Sequence, residues 1–275
     1  MSDRLPARTR ALAGELVELR VRAGLTTRGA ARRLGISSAS LNRTENAKRE
    51  ASAEELGGML AVYRAGEADR KLVLDLAGAR PAPGWLGLAP DPPPLARFEA
   101  TALSIVDFAP HAVPGLLQTA AYTRAVHTHG GDLGVALDER VRAQARRQAV
   151  LSRLSAPHYA AFLDEAVLRR PVGGSAAMAE QIRWLVSRAR QPGTTVRVVP
   201  FRHGGYRNPG RFSLMRFREA APVVYVEHEG SSGFLDGAAD VERFGAIAAS
   251  IAAAALDGLD SVNLMNRIAS DHERA

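Results

Sequence analysis

Apolar residues recur at helical spacing through the first part of this chain. Leu12, Leu16 and Leu19 fall on one face of a helix predicted over about Thr9 to Ala23, with Glu15, Glu18, Arg20 and Arg22 on other faces and Gly24 as its stop. Two short helical patterns follow, Thr27 to Leu34 and Ser38 to Asn46, each preceded by a residue whose hydroxyl can cap a helix, Thr26 and Ser37. Only Gly35, Ile36 and Ser37 separate them, which makes the pair a helix-turn-helix pattern. Gly35 suits the left-handed residue that ends the first helix, because without a Cβ it carries no steric cost there. Leu34, Ile36 and Leu41 are placed to pack the elbow. Ser52 and Glu55 spell a capping box opening a helix through Leu56, Met59, Leu60 and Tyr63, and Leu72, Val73 and Leu76 mark a fifth from about Glu67 to Gly78. The pattern predicts an all-α helix-turn-helix bundle over residues 1–80.

Prolines at 81, 83, 90 and 92 to 94 then interrupt any helix, since each lacks an N–H and restricts its predecessor. Residues 81–94 are expected to be a linker, with Trp85, Leu86 and Leu88 apolar enough to dock on one domain. Beyond Leu95 the periods mix. Short apolar runs at Ser104 to Phe108, His158 to Leu163, Thr195 to Pro200, Phe212 to Phe217, Val223 to His228 and Gly233 to Leu235 read as strands. Helical patterns start near Phe98 and after Pro114, and cover Asp138 to Leu154, Ser175 to Arg190, about Ala239 to Leu256 and Ser261 to Ile268. In Asp138 to Leu154, Val141, Ala145, Val150, Leu151 and Leu154 are expected to face inward, and Arg140, Arg142, Arg146, Arg147 and Arg153 outward. Residues 95–275 are thus expected to form a C-terminal α+β domain with a four- to five-stranded, largely antiparallel sheet.

Charge sharpens this division. The 275 residues carry a formal net charge of +7. Residues 1–49 hold eleven Lys and Arg against four Asp and Glu, a balance of +7, while the remainder holds 25 of each sign. A basic excess confined to the helix-turn-helix segment is what phosphate neutralisation requires, because Lys and Arg contacts release condensed counterions. Cysteine is absent, which excludes disulfides and thiolate chemistry. No apolar run could span a bilayer and the first residues lack a signal-peptide core, so the expected location is cytoplasmic, with no membrane partner.

The quoted motifs also carry a resemblance. Leu19-Arg20, Gly24-Leu25-Thr26, Gly35-Ile36-Ser37 and Arg43-Thr44-Glu45-Asn46 resemble the XRE/Cro-type helix-turn-helix family of transcriptional regulators. The resemblance implies that Ser38, Ala39 and Arg43 face bases, and that Thr27, Ser40, Asn46 and Lys48 hold phosphates. Asn42 joins the base-facing set from its place on the second helix, and Arg28 and Arg49 the phosphate set from the basic segment. Thr27, Ser38, Thr44 and Ala47 depart from the usual glutamines, apolar residue and glycine, so the reading face is small and Arg43 becomes its main discriminating side chain. Val113 to Thr119, Leu163 to Gly174 and Val196 to Pro200 resemble a C-terminal domain of unknown function attached to such regulators in actinomycetes, described as antitoxin-like. That resemblance implies a small protein partner for the second domain, while the helix-turn-helix gives double-stranded DNA as partner and a neutral second domain fused to it most simply makes a homodimer; the leading alternative function is an antitoxin-like module that binds such a small partner and only autoregulates through DNA.

Catalytic templates find no match. There is no Gly-x-Ser-x-Gly and no His-Glu-x-x-His, so no catalytic residue, metal or cofactor is expected, and the chain is read as a non-enzyme. His127 and His129 lack a third ligand. Strand alternation puts His228 opposite Glu227 and Glu229, and Gly173-Gly174-Ser175 lacks the lysine of a phosphate loop. The loop from Arg202 to Gly210, with Arg202, His203, Tyr206 and Arg207, is the candidate lip for a small-molecule ligand or protein partner.

Overall fold

The computed structural model describes residues 7–78, 93–129, 134–228 and 231–275. Five helices come first: α1 (Ala7–Arg22), α2 (Thr27–Leu34), α3 (Ser38–Glu45), α4 (Ala53–Val62) and α5 (Glu67–Gly78). Polar punctuation sets their starts. Thr26 Oγ1 accepts from the Gly29 N–H and Ser37 Oγ from the Ser40 N–H, both at 3.1 Å, and Ser52 and Glu55 form the reciprocal capping box. Each cap supplies a partner to an amide that has none inside its helix. Leu16, Leu19, Ala30, Leu41, Met59 and Leu60 form the buried centre. The outward placement expected for Glu15 and Arg20 is corrected: Glu15 is buried, and Arg20 turns in to pair with Glu45.

The sixth helix, α6 (Pro93–Thr101), begins within the proline run that was expected to exclude one. Its prolines sit in the first turn, where an N–H has no intrahelical acceptor, so the missing donor costs nothing. Trp85, Leu86 and Leu88 lie outside the described residues.

The remaining chain builds a mixed sheet. Its strands are β1 (Ser104–Ala109), β2 (His158–Asp164), β3 (Thr194–Val199), β4 (Phe212–Arg216), β5 (Val223–His228) and β6 (Ser231–Leu235), in the order β3-β2-β1-β4-β5-β6. β1–β2 and β2–β3 are parallel, whereas β1–β4, β4–β5 and β5–β6 are antiparallel. The expectation of four or five largely antiparallel strands is therefore corrected to six strands of mixed pairing. Parallel neighbours need crossovers, and helices provide them: α7 (Ala120–His129) and α8 (Gly134–Gln148) between β1 and β2, then α9 (Glu165–Arg169) and α10 (Ser175–Ala189) between β2 and β3.

Side-chain alternation gives each sheet face its own core. Ile105, Tyr159, Leu163, Val198 and Tyr225 pack with α6, α10 and α12 (Gly258–Arg274), whereas Phe108, Phe162, Phe212 and Val224 lie under Ile247 and Ile251 of α11 (Ala238–Ala254). A buried carboxylate, Asp107, crosses the first of these cores, accepting from the Tyr159 hydroxyl at 2.7 Å and from Ser213. At one edge, the corner between α11 and α12 occupies the hydrogen-bonding groups of β3: the Leu256 N–H donates to Val198 O at 2.9 Å, and the Val198 N–H to Ser261 Oγ at 3.1 Å. At the other, α1 lies against β6, and the Ala7 N–H donates to the Asp236 carboxylate.

Arg147 departs from its expected outward face. The helix ends at Gln148 and tightens into a 3-10 turn over Ala149–Ser152, and Arg147 points inward to Glu99, donating through Nε at 2.6 Å and Nη2 at 2.9 Å. Leu154, expected inside, is fully exposed just past this turn, and Ala145, within the helix itself, is exposed as well.

The N-terminal bundle is docked on this sheet. Ala7, Ala11 and Leu76 belong to the same buried cluster as Leu95, Phe98 and Phe234. The Arg10 guanidinium lies over Phe98 and Phe217, 5.1 and 4.7 Å from the ring centroids, and donates to Ala221 O at 3.0 Å. Arg97 reaches Glu18 at 2.7 Å and Glu15 at 3.4 Å. It passes so close to α1 that a Cβ on Gly14 would lie 1.9 Å from Arg97 Nη1.

Candidate nucleic-acid interface

The turn between α2 and α3 has the conformation its sequence demands. Gly35 adopts φ 67° and ψ 22°, and the Ile36 N–H returns to Ala31 O at 3.1 Å. A residue with a Cβ would be strained there. Leu41 is fully buried and fixes the inner face of α3, with Leu34 and Ile36 packed against the same core.

The opposite face of α3 is turned to solvent. Ser38, Ala39, Asn42 and Arg43 are all exposed and occupy one side of the helix, while Ser40 is half-buried at its margin. Arg43 has no partner among the described residues. Asn42 and Asn46 are linked instead: Asn46 Nδ2 donates to Asn42 Oδ1 at 2.9 Å and to Asn42 O at 2.7 Å.

A buried ion pair fixes the end of α3. Arg20 Nε donates to Glu45 Oε1 at 2.7 Å, Arg20 Nη1 to Leu25 O at 2.8 Å, and the Tyr63 hydroxyl approaches Glu45 at 3.5 Å. Burial and the Glu45 carboxylate push the Tyr63 hydroxyl well above the ordinary phenol range. The sequence displays Arg20 and Glu45 as motif letters; nothing in their spacing shows that they meet.

Of the phosphate candidates, Arg28, Asn46 and Lys48 are exposed and Thr27 is half-buried at the start of α2. Arg49 is already engaged. Its two terminal nitrogens grip Glu55 at 3.1 and 2.9 Å and its Nε donates to Thr44 Oγ1 at 3.2 Å, bracing the loop after α3 against α4. The Arg49 hydrogen bonds hold the Glu55 carboxyl below its ordinary range. Ala47, where the related pattern has glycine, takes a left-handed φ of 54°. Arg32 and Arg33, which the motif comparison passes over, are two further exposed cations on α2. The adjacent arginines at the helix end were the signal available for them.

The four candidates in the C-terminal half do not converge. Arg202 and His203 lie on an exposed 3-10 turn (Phe201–His203), and Arg207 is exposed farther along. Tyr206 turns back into the molecule, edge-on to Phe108 with centroids 6.0 Å apart, and donates its hydroxyl to Asp164. Glu227 accepts from Arg211 at 2.8 Å and from the Tyr225 hydroxyl at 2.9 Å. The side chains of His129, His228 and Glu229 lie outside the described residues.

A capped helix-turn-helix with one face of its second helix turned to solvent, docked through its first helix on a mixed α+β layer, defines a two-part protein with a helix-turn-helix DNA-binding domain. Residues 11–73 match a helix-turn-helix domain. The chain belongs to the family described as Domain of unknown function (DUF5753), which matches residues 93–267. No curated protein and no solved structure matches the chain.

Proposed function

We propose that this protein is a sequence-specific transcriptional regulator of the XRE type that reads the DNA major groove with α3. The supporting observation is the exposed Arg43 guanidinium, without a partner among the described residues, on a face otherwise made of small side chains. Arg43 pairs bidentately with a guanine, Ser38, Ala39 and Asn42 line the adjoining base edges, and Thr27, Arg28, Ser40, Asn46 and Lys48 hold the backbone in register. Arg49 contributes through its brace on Glu55. The regulator acts as a cytoplasmic homodimer, whose two α3 helices meet half-sites about 34 Å apart. No single helix among the described residues is long and apolar enough to cross a membrane.

Binding titrations with cognate and random duplexes test this. Arg43→Ala lowers affinity for the cognate site by about 1–3 kcal/mol and relaxes specificity, whereas Lys48→Ala weakens all sequences and reduces the salt slope by about one. Equal losses on both duplexes for Arg43→Ala would remove the base-reading assignment.

The exposed Arg142 and Arg146 on α8 favour a second reading, in which an acidic protein partner seats on that helix and DNA binding is autoregulatory. A stoichiometric acidic partner, released by Arg142→Glu, is its expected signature.

A further inference from the structure

We propose that the groove beyond the carboxyl ends of β2 and β3 binds a small organic monoanion, a carboxylate carrying an apolar body. The groove encloses about 320 Å3. Glu165, which directly follows β2, and Phe201 and Arg202, which follow β3, form one wall; Asn263, Leu264 and Arg267 on α12 form the other. In sheets with parallel strands and flanking helices, the space outside the strand carboxyl ends is where loops leave room for a ligand, and this volume lies at the small end of ligand sites.

The charges in the groove select an anion. The buried Glu165 is already satisfied, accepting from Arg169 at 2.7 Å and from the Phe201 N–H at 2.8 Å. Arg202 and Arg267 are both exposed and neither has an acidic partner among the described residues. Asp260 on the rim offsets one of these two cations, leaving a single positive charge unmatched. Phe201, which lines the same groove, stands 56% exposed and offers apolar area that the body of a bound ligand would cover. Arg guanidinium groups give a carboxylate a directional, charge-assisted grip. None of these residues belongs to the DNA-facing surface, so the site stands or falls independently of that assignment.

The test uses the full chain, with 4-phenylbutyrate as probe and 4-phenylbutanamide as its neutral counterpart, followed by ligand-observed NMR and calorimetry. The acid binds at millimolar or lower concentration and the amide binds at least tenfold more weakly. The Arg202→Gln/Arg267→Gln double variant loses at least tenfold in affinity for the acid while keeping the parent's unfolding temperature and DNA affinity. Asn263→Trp, which places an indole in the groove while keeping both arginines, abolishes binding. Equal binding of acid and amide, undiminished binding by the variants, or no binding of the acid at millimolar concentration overturns the proposal.

Discussion

Glu15 shows how one residue can be placed on the wrong face by periodicity and still be placed for a reason. The residue is 5% exposed, its carboxyl 3.4 Å from Arg97, with Glu18 and Asp69 nearby. Burial pushes its pKa above the ordinary carboxylate range, and Arg97 opposes that shift only in part. The sign follows from the raised folded value. Well below the ordinary range the group is protonated in both folded and unfolded chains and costs nothing; as pH rises through the folded pKa, the buried charge lowers stability. Glu15→Gln should therefore raise the unfolding temperature near neutral pH, with the gain shrinking toward about pH 4 in thermal unfolding series. A gain that does not depend on pH would refute the burial account. Glu55 has the opposite sign: held down by Arg49, its contribution is present above the ordinary carboxylate range and is lost as pH falls.

Among the elements, the locally encoded ones were legible and those closed over distance were not. Caps at Thr26, Ser37 and Ser52, and the left-handed Gly35, act within a few residues, and α2, α3 and α4 begin where the caps place them. All six strands could be seen as short apolar runs, yet their pairing could not. β4 lies beside β1 rather than β3, and the parallel pairs depend on crossovers tens of residues long. The alternation of helices with strands before β3 was the available sign of parallel pairing, obscured by the β4–β5 hairpin that follows. Arg147 escaped for the same reason, because its partner Glu99 is 48 residues away. The site followed this rule too: the exposed face of α3 was legible from spacing, while the Arg20–Glu45 pair that fixes its end was not. Removing Arg20 leaves Glu45 buried with the Tyr63 hydroxyl as its remaining side-chain partner among the described residues. Arg20→Ala should thus cost about 3 kcal/mol in denaturant unfolding and abolish DNA binding. A loss below about 1 kcal/mol would mean that solvent reaches Glu45 and that the pair is worth no more than a surface one.

At the scale of the whole molecule, α1 is the hinge pin between the helical bundle and the sheet. Its inner face carries Leu16 and Leu19 into the bundle core, while Ala7, Arg10 and Ala11 contact the sheet side. Arg10 contributes two cation–π contacts and a hydrogen bond to this joint. Together these are worth about 2 kcal/mol. Arg10→Ala should lower the cooperativity of unfolding, splitting one calorimetric transition into two as the bundle melts ahead of the sheet. A single transition with unchanged temperature would show that the apolar contacts alone hold the joint.

The way α1 and α5 close over the sheet side also limits how such a protein can be rearranged by recombination. Ala7, Ala11 and Leu76 cover part of the apolar surface that includes Leu95, Phe98 and Phe234. A gene fragment beginning after the bundle would encode a protein with that surface bare and self-adhesive. The helix-turn-helix here is not a portable cassette: an exchange that brought in a new one would also need a first helix shaped to shelter the same aromatic residues.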